Sequence, residues 1–310
     1  MLSRLEFVVR GASSVAGSVD SLMLFMLLLC GAVALGVVAC ITVFVVRYHR
    51  GSAAPRAGGQ VRTVGIEVSW TLLPLALFIF VFAWSIRLFA RIETPPPGAT
   101  PVYVVARQWM WKLQHVEGVR EIDELHVPVG ETIKLVMTSE DVIHSFFVPA
   151  FRIKQDVLPG RYTQLWFKAT RAGTYHLFCS EYCGTLHAHM GGSIVVLPPA
   201  QYAQWLSGQA RGEPLVARGQ ELFRNYGCSG CHAAGAAVHA PELQGLFGKP
   251  VPLAGGGFAI ADEAYFHDSV IQPDKQVVAG FAPIMPSFNG QIREEDLTAL
   301  TEWFRAGAPQ

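Results

Sequence analysis

Residues 179–190, CSEYCGTLHAHM, hold two thiols, two imidazoles, a thioether and a carboxylate. Soft thiolate and thioether donors combined with imidazole favour copper or zinc, and the methionine favours copper. Zinc sites more often use four Cys or His ligands and no Met. Cys179 and Cys183 stand four apart, His187 lies four beyond the second, and Met190 three beyond that. That spacing can clasp one or two ions on a loop that follows a strand. One distant ligand is missing, and His144 is the candidate, because it comes directly after an alternating run at 132–138, where the loops of a sandwich converge. His189, adjacent to Met190, is expected to face away.

A second constellation is CSGCH at 228–232. In this pattern two thiols add to the vinyl groups of a haem and the following imidazole binds its iron. Cys-x-x-Cys alone could be a redox dithiol or half of a zinc site. The helical pattern before it, His232 directly after it and the lack of a second Cys pair downstream favour haem c on Cys228 and Cys231, with His232 as axial ligand. Met285, in PIMP, is the only Met after residue 212 and sits on a proline-flanked loop suited to holding a thioether on iron; His239 and His267 are the alternatives. Met/His ligation leaves no open position and suits electron transfer.

Several elements must position these groups. The chain has 310 residues, enough for two or three domains. Charged residues make up 15%, against about 25% in an average soluble domain, so part of the chain belongs in lipid. Residues 22–46 are uncharged for 25 positions and 68–86 for 19, each near the roughly 20 residues needed to span a bilayer. Arg47, Arg50, Arg56 and Arg62 lie between them and place that connector in the cytoplasm by the positive-inside rule, although Arg4, Arg10, Arg87 and Arg91 flank the outer ends. Both termini and everything after residue 92 then lie outside. Residues 1–21 show no separate apolar core or cleavage site, which suggests a mature chain or an uncleaved first helix. Cys30 and Cys40 read as small apolar packing residues. The balance of 24 basic and 24 acidic residues argues against a nucleic-acid partner.

After the turn-rich TPPPG at 94–98 the pattern changes to strands, at 102–113, 132–138, 161–168, 173–179 and 192–197, which together spell a small antiparallel sandwich or barrel. Trp109 and Trp111 should share a strand face. LPP at 197–199 ends this part and a short polar helix or linker follows. A helical domain comes next, whose last helix, near 294–305, has three acids in its first turn and an apolar stripe of Leu297, Leu300 and Phe304.

Residues 212–308 resemble class I cytochrome c, with Gly219, Phe223 and Trp303 at the positions where that family's terminal helices cross. His144 followed by Cys-x-Glu-x-Cys-x-x-x-His-x-x-Met resembles subunit II of the cytochrome c oxidases with its binuclear CuA centre. EVSWTLLP at 67–74, QWMW at 108–111 and IKQDVLPGR at 153–161 extend the likeness over nearly the whole chain. The appended cytochrome gives it the look of the caa-type haem-copper oxidases. The resemblance implies a multidomain chain: a transmembrane hairpin in 1–94 with helices about 22–46 and 68–90, an all-β cupredoxin domain in 95–199 and an all-α cytochrome c domain in 212–310. It implies that Cys179 and Cys183 bridge two coppers, that His144 and His187 bind one each, and that Met190 and the Glu181 carbonyl complete them. The Glu181 side chain would reach a magnesium shared with subunit I. Trp109 would be an electron-entry residue, although Met110 departs from the family's usual Tyr. Glu67 would be a proton-entry carboxylate.

The function implied is electron input to a proton-translocating oxidase. Electrons would pass from an external donor, such as a cytochrome c or a bc-type complex, through haem c to CuA and then to haem a and the oxygen-reducing site of subunit I, with subunit III as a further partner. No His lies in the two apolar runs, so no catalytic residue is assigned to this chain. The implied location is the bacterial inner membrane, with the copper and haem domains periplasmic. The alternatives are a CuA-type nitric oxide reductase subunit and a membrane-tethered electron carrier. A quinol oxidase subunit would lack the copper ligands, and a soluble nitrous oxide reductase would lack the two anchors.

Overall fold

The computed structural model describes residues 10–55, 63–209, 212–233, 235–236 and 238–308; Arg4, Arg56 and Arg62 lie outside them. Two units result, 15–94 and the remainder. The first is a helix pair, α1 (Ala16–Tyr48) and α2 (Val64–Glu93), each long and apolar enough to cross a membrane. Phe25 packs against Phe80 and Trp84 between them, with ring centroids 5.7 and 5.6 Å apart. Cys30 and Cys40 were expected to be buried but lie exposed on the surface of α1, where a membrane helix presents its apolar side chains to lipid.

The second unit begins with two five-stranded sheets. Its strands in chain order are β1 (Thr100–Arg107), β2 (Met110–His115), β3 (Arg120–Ile122), β4 (Glu124–Pro128), β5 (Thr132–Ser139), β6 (His144–Val148), β7 (Ile153–Val157), β8 (Thr163–Lys168), β9 (Gly173–Cys179) and β10 (Gly191–Leu197). The sheets are ordered β3-β2-β1-β5-β8 and β4-β10-β9-β6-β7. They are mixed rather than purely antiparallel, since β1 runs parallel to β5 and β10 parallel to β4. The single strand expected at 102–113 is a hairpin: Arg107 pairs with Met110 across the turn Gln108–Trp109. Trp109 and Trp111 therefore do not share a strand face. Trp111 is fully buried on β2, while Trp109 is in the turn.

Helix α3 (Pro199–Gly208) leads to the helical domain, made of α4 (Leu215–Asn225), the short α5 (Ser229–His232), the hairpin β11 (Pro250–Pro252) and β12 (Phe258–Ile260), α6 (Glu263–Ile271) and α7 (Glu294–Arg305). Helices α4 and α7 cross at Gly219, where an added Cβ would lie 2.2 Å from the Ala299 carbonyl oxygen and 2.5 Å from the Trp303 Cβ. Phe223 fills the gap beside Trp303, with centroids 4.4 Å apart.

This domain packs on the first sheet, whose central strands β1 and β5 are largely buried on both faces as a doubly covered sheet requires. Val102, Val104, Leu135 and Met137 alternate with Tyr103 and Val136, which join the core of the helical domain. Partly buried ion pairs and hydrogen bonds ring the contact. Glu302 accepts from the Tyr103 hydroxyl at 2.9 Å and from Arg305 Nε at 2.7 Å, Lys134 meets Glu263 at 2.7 Å, and Lys112 meets Glu295 at 2.9 Å. His267 is fully buried at the same face, its ring 4.4 Å from that of Tyr162. Nearby, burial together with Glu140 and Glu295 pushes Glu294 up to about 7.

Two predictions follow from this packing. Gly219→Ala should destabilise the helical domain by roughly 1–3 kcal/mol through overpacking, read as a lower thermal midpoint. Because folding raises the Glu294 pKa above its ordinary 4.5, the folded state binds the extra proton and stability falls as pH rises from about 4.5 to about 7. Glu294→Gln should therefore raise the unfolding free energy near roughly pH 8, by on the order of 1–3 kcal/mol, and leave it unchanged near roughly pH 4, as read by denaturant titration.

Candidate metal centres

At one end of the sandwich β6 and β9 bring His144 and Cys179 side by side, both on strand ends. His144 was expected in a loop; it opens β6, because the turn at 140–143 is short. After Cys179 the chain loops out and returns at Met190, whose carbonyl oxygen accepts from the Cys179 amide at 3.1 Å, while the Ser180 amide donates to Ser145 at 3.0 Å. These bonds fix both ends of the loop. Cys179 Sγ lies 3.8 Å from Cys183 Sγ, 3.9 Å from His144 Nδ1 and 3.3 Å from the Glu181 carbonyl oxygen. Cys183 Sγ lies 3.4 Å from His187 Nδ1 and 3.7 Å from Met190 Sδ. All six groups named from the sequence thus converge, and the sulfurs are far outside the bonded distance of about 2.05 Å. His189 and the Glu181 residue are exposed.

The surroundings suit copper. His144 is fully buried, and its Nε2 is 2.9 Å from Asp141 Oδ1, which turns Nδ1 toward the sulfurs. Burial would raise Asp141, but the Gln108 amide, His144 and the Val142 amide hold it below the usual carboxylate range. Burial raises both thiols; at Cys179, His144 and nearby backbone groups reverse this, so the pair gives up one proton readily. At Cys183 burial and then the Cys179 charge push the pKa up. A second thiolate needs a cation, which a metal supplies.

The supporting roles of Gln108 and Asp141 escaped the sequence reading. The Gln108 amide donates to Asp141 Oδ2 at 2.8 Å and its side chain donates to the Cys183 carbonyl at 2.7 Å, joining both halves of the site. Trp109 lies beside Gly184, where φ is 121° and an added Cβ would come within 2.9 Å of Gln108 Nε2 and 3.3 Å of the Trp109 ring. The only available signal was Asp141, three residues before His144.

The helical domain holds a cavity of about 390 Å³ lined by Cys228, Cys231, His232 and Met285 among apolar side chains. His232 Nδ1 is 2.9 Å from the Pro241 carbonyl oxygen. Only a protonated Nδ1 can donate there, so Nε2 keeps its lone pair for a metal. His239 also lines the cavity, stacked on Phe281. His267, considered as an axial ligand, is instead held at the sheet contact. The apolar walls, two free thiols and an imidazole fit a covalently attached haem. Glu67 is exposed in the first turn of α2.

Asp141→Asn should lower copper affinity about 10- to 100-fold, measured by chelator competition. Cys183→Ser should abolish the near-infrared mixed-valence band of the copper-loaded protein.

Comparison with known proteins agrees with this chemistry. Residues 4–88 match the transmembrane domain and 110–197 the periplasmic domain of cytochrome c oxidase subunit II, and 216–307 match cytochrome c. Cytochrome c oxidase subunit 2 of Alkalihalophilus pseudofirmus is 27% identical over 299 residues, 92% of this chain and 85% of that protein. Its counterpart in Cereibacter sphaeroides is 31% identical over 65% of this chain and 78% of that protein. The one in Thermostichus vulcanus is 31% identical over 63% and 76% respectively. These matches imply CuA copper, haem c, a membrane anchor and assembly with oxidase subunit I. The chain belongs to the cytochrome c oxidase subunit II family, in the form that carries its own cytochrome c domain.

Proposed function

We propose that the chain takes electrons from an external donor, a cytochrome c or a bc-type complex, at its haem domain (212–310) and delivers them from its copper domain (95–199) to subunit I of a proton-translocating oxidase. The observation that carries this reading is the presence, in one unit of a single chain, of a thiol-imidazole-thioether cluster and a haem-type cavity. Copper and haem, when bound, supply reversible one-electron chemistry. Cys179 and Cys183 would bridge two coppers, His144, His187, Met190 and the Glu181 carbonyl would complete them, and His232 and Met285 would bind one haem iron. The burial of His144, Cys179, Cys183 and Met190 keeps water and bulk reorganisation away from the metal.

The exposed Glu181 side chain is free to join a magnesium site at subunit I. Trp109, packed against the copper loop at Gly184, would serve electron entry. Glu67, on the first turn of the second membrane helix, would serve proton entry. Arg47 and Arg50 support a cytoplasmic connector in the 1–94 hairpin, and hence periplasmic copper and haem domains. Subunit III would be a further partner. The deciding experiment purifies the complex in mild detergent and supplies reduced cytochrome c. Oxygen consumption that stops in Met285→Ala, with the complex still assembled, is expected. Conversion of nitric oxide to nitrous oxide as the turnover, or a chain that never co-purifies with a many-helix haem subunit, contradicts it.

A further inference from the structure

Among the described residues, two groups of three ligating side chains bring their donor atoms within 4.8 Å of one another: one is the copper cluster, and the other is Glu121, Glu124 and His126. The corner that carries the second group is shaped to assemble it. Residues three apart on a regular strand point to opposite faces, so Glu121 on β3 and Glu124 on β4 would diverge. Asp123 between them takes φ 57°, a left-handed conformation that costs a non-glycine residue roughly 1–3 kcal/mol. The chain turns there, and Glu124 and His126, two apart, share a face. The turn is locked from three sides. Asp123 Oδ1 accepts from the Trp111 amide at 2.7 Å, the Asp123 amide donates to Trp111 at 2.9 Å, and its carbonyl accepts from Ser193 at 2.9 Å. Gly192 passes so close that a Cβ there would lie 2.2 Å from the Asp123 oxygen.

The donors lie close together and are tied to one another by hydrogen bonds. Glu121, with 8% of its side chain exposed, accepts at Oε1 from His115 Nε2 at 2.8 Å and from the His126 amide at 2.9 Å. Its Oε2 faces His126 Nδ1 at 2.5 Å. Burial raises its pKa, but the His115 and His126 bonds outweigh this and keep the carboxylate ionised. Trp205 of α3 stacks on the His126 ring at 4.3 Å and 13°, fixing its plane. Glu124 is exposed and leaves a way in. His115, behind Glu121, holds a ligating carboxylate in the manner of an outer-shell partner.

We propose that Glu121, Glu124 and His126 form a further metal site, apart from copper and haem, that takes a divalent ion of the zinc type through one imidazole nitrogen and two carboxylate oxygens. No sulfur is present, which removes the preference for cuprous ion, and imidazole with carboxylates and water suits zinc. Binding releases to solvent the proton that His126 Nδ1 donates to Glu121 Oε2, and opens that separation to roughly 3.4 Å, the edge of a tetrahedron with bonds of about 2.1 Å. Glu121 can supply that by a small side-chain rotation. The ion would tie the β3–β4 corner beneath Trp205, and so stiffen the seat of α3, the helix that joins the copper and haem domains.

The test uses the intact, copper- and haem-loaded complex, dialysed against a chelator, equilibrated with zinc chloride, desalted and analysed for metal, with Glu124→Gln and His126→Gln beside the parent. Glu124 is on the surface, so its replacement leaves the fold in place. The parent should retain one more zinc per chain than either variant, with an apparent affinity at least about tenfold higher. Cobalt added instead should give visible ligand-field bands in the parent alone, and copper and haem spectra should be unchanged throughout. Equal zinc content in parent and Glu124→Gln, or no zinc and no cobalt bands in the parent, overturns the site.

Discussion

Two cysteine sulfurs held 3.8 Å apart and unbonded set the terms for the rest of the copper domain. The separation is too long for a disulfide and suited to a shared metal, and it persists only if the backbone between the sulfurs is fixed at both ends. The Cys179–Met190 and Ser180–Ser145 backbone bonds do this from the sheet, and Gln108 does it from the opposite sheet by reaching both Asp141 and the Cys183 carbonyl. A rigid ligand loop keeps its geometry through oxidation and reduction, which is what electron transfer asks of a metal site. The same rigidity explains the fully buried Trp111, stacked edge-on to Phe146 and His144 beneath the loop.

The haem domain is fastened to that frame by contacts of a similar kind. Tyr103 and Val136 present one face of the first sheet to α7 and α6, while Val102, Val104, Leu135 and Met137 present the other to the sandwich interior. The charged groups around the seam are paired: Glu302 with Tyr103 and Arg305, Glu263 with Lys134, Glu295 with Lys112. Removing Lys134 or Arg305 would leave the buried Glu263 or Glu302 carboxylate uncompensated, so such a seam favours a single docked register over a loosely tethered domain. Glu294 is the exception: its partner is the buried His267, whose Nε2 lies 3.8 Å away, and burial with neighbouring acids pushes its pKa up to about 7.

Much of this was legible in the sequence because it rests on local patterns. The ligand spacing in 179–190, the CSGCH motif, both apolar runs and the last helix each depend on residues near one another in the chain, while the Gly219–Trp303 crossing came from the resemblance to cytochrome c. What escaped depends on tertiary context. The strand at 102–113 was broken by a two-residue turn with no glycine or proline in it, so neither the hairpin nor the separate settings of Trp109 and Trp111 could be read. Strands β4, β6 and β7 are short, β4 pairs only with the distant β10, and the parallel pairs β1–β5 and β4–β10 leave no hairpin signal. Gln108 is a functional support whose role exists only once Asp141 and Cys183 are close in space.

The central claim is that Cys179 and Cys183 bridge two coppers that share one unpaired electron. Electron paramagnetic resonance of the oxidised, copper-loaded complex tests it directly through the copper hyperfine pattern. The account predicts splitting from an electron shared equally by two copper nuclei, and the loss of that shared pattern in Cys183→Ser. A pattern from one copper nucleus alone in the unmodified protein would contradict it.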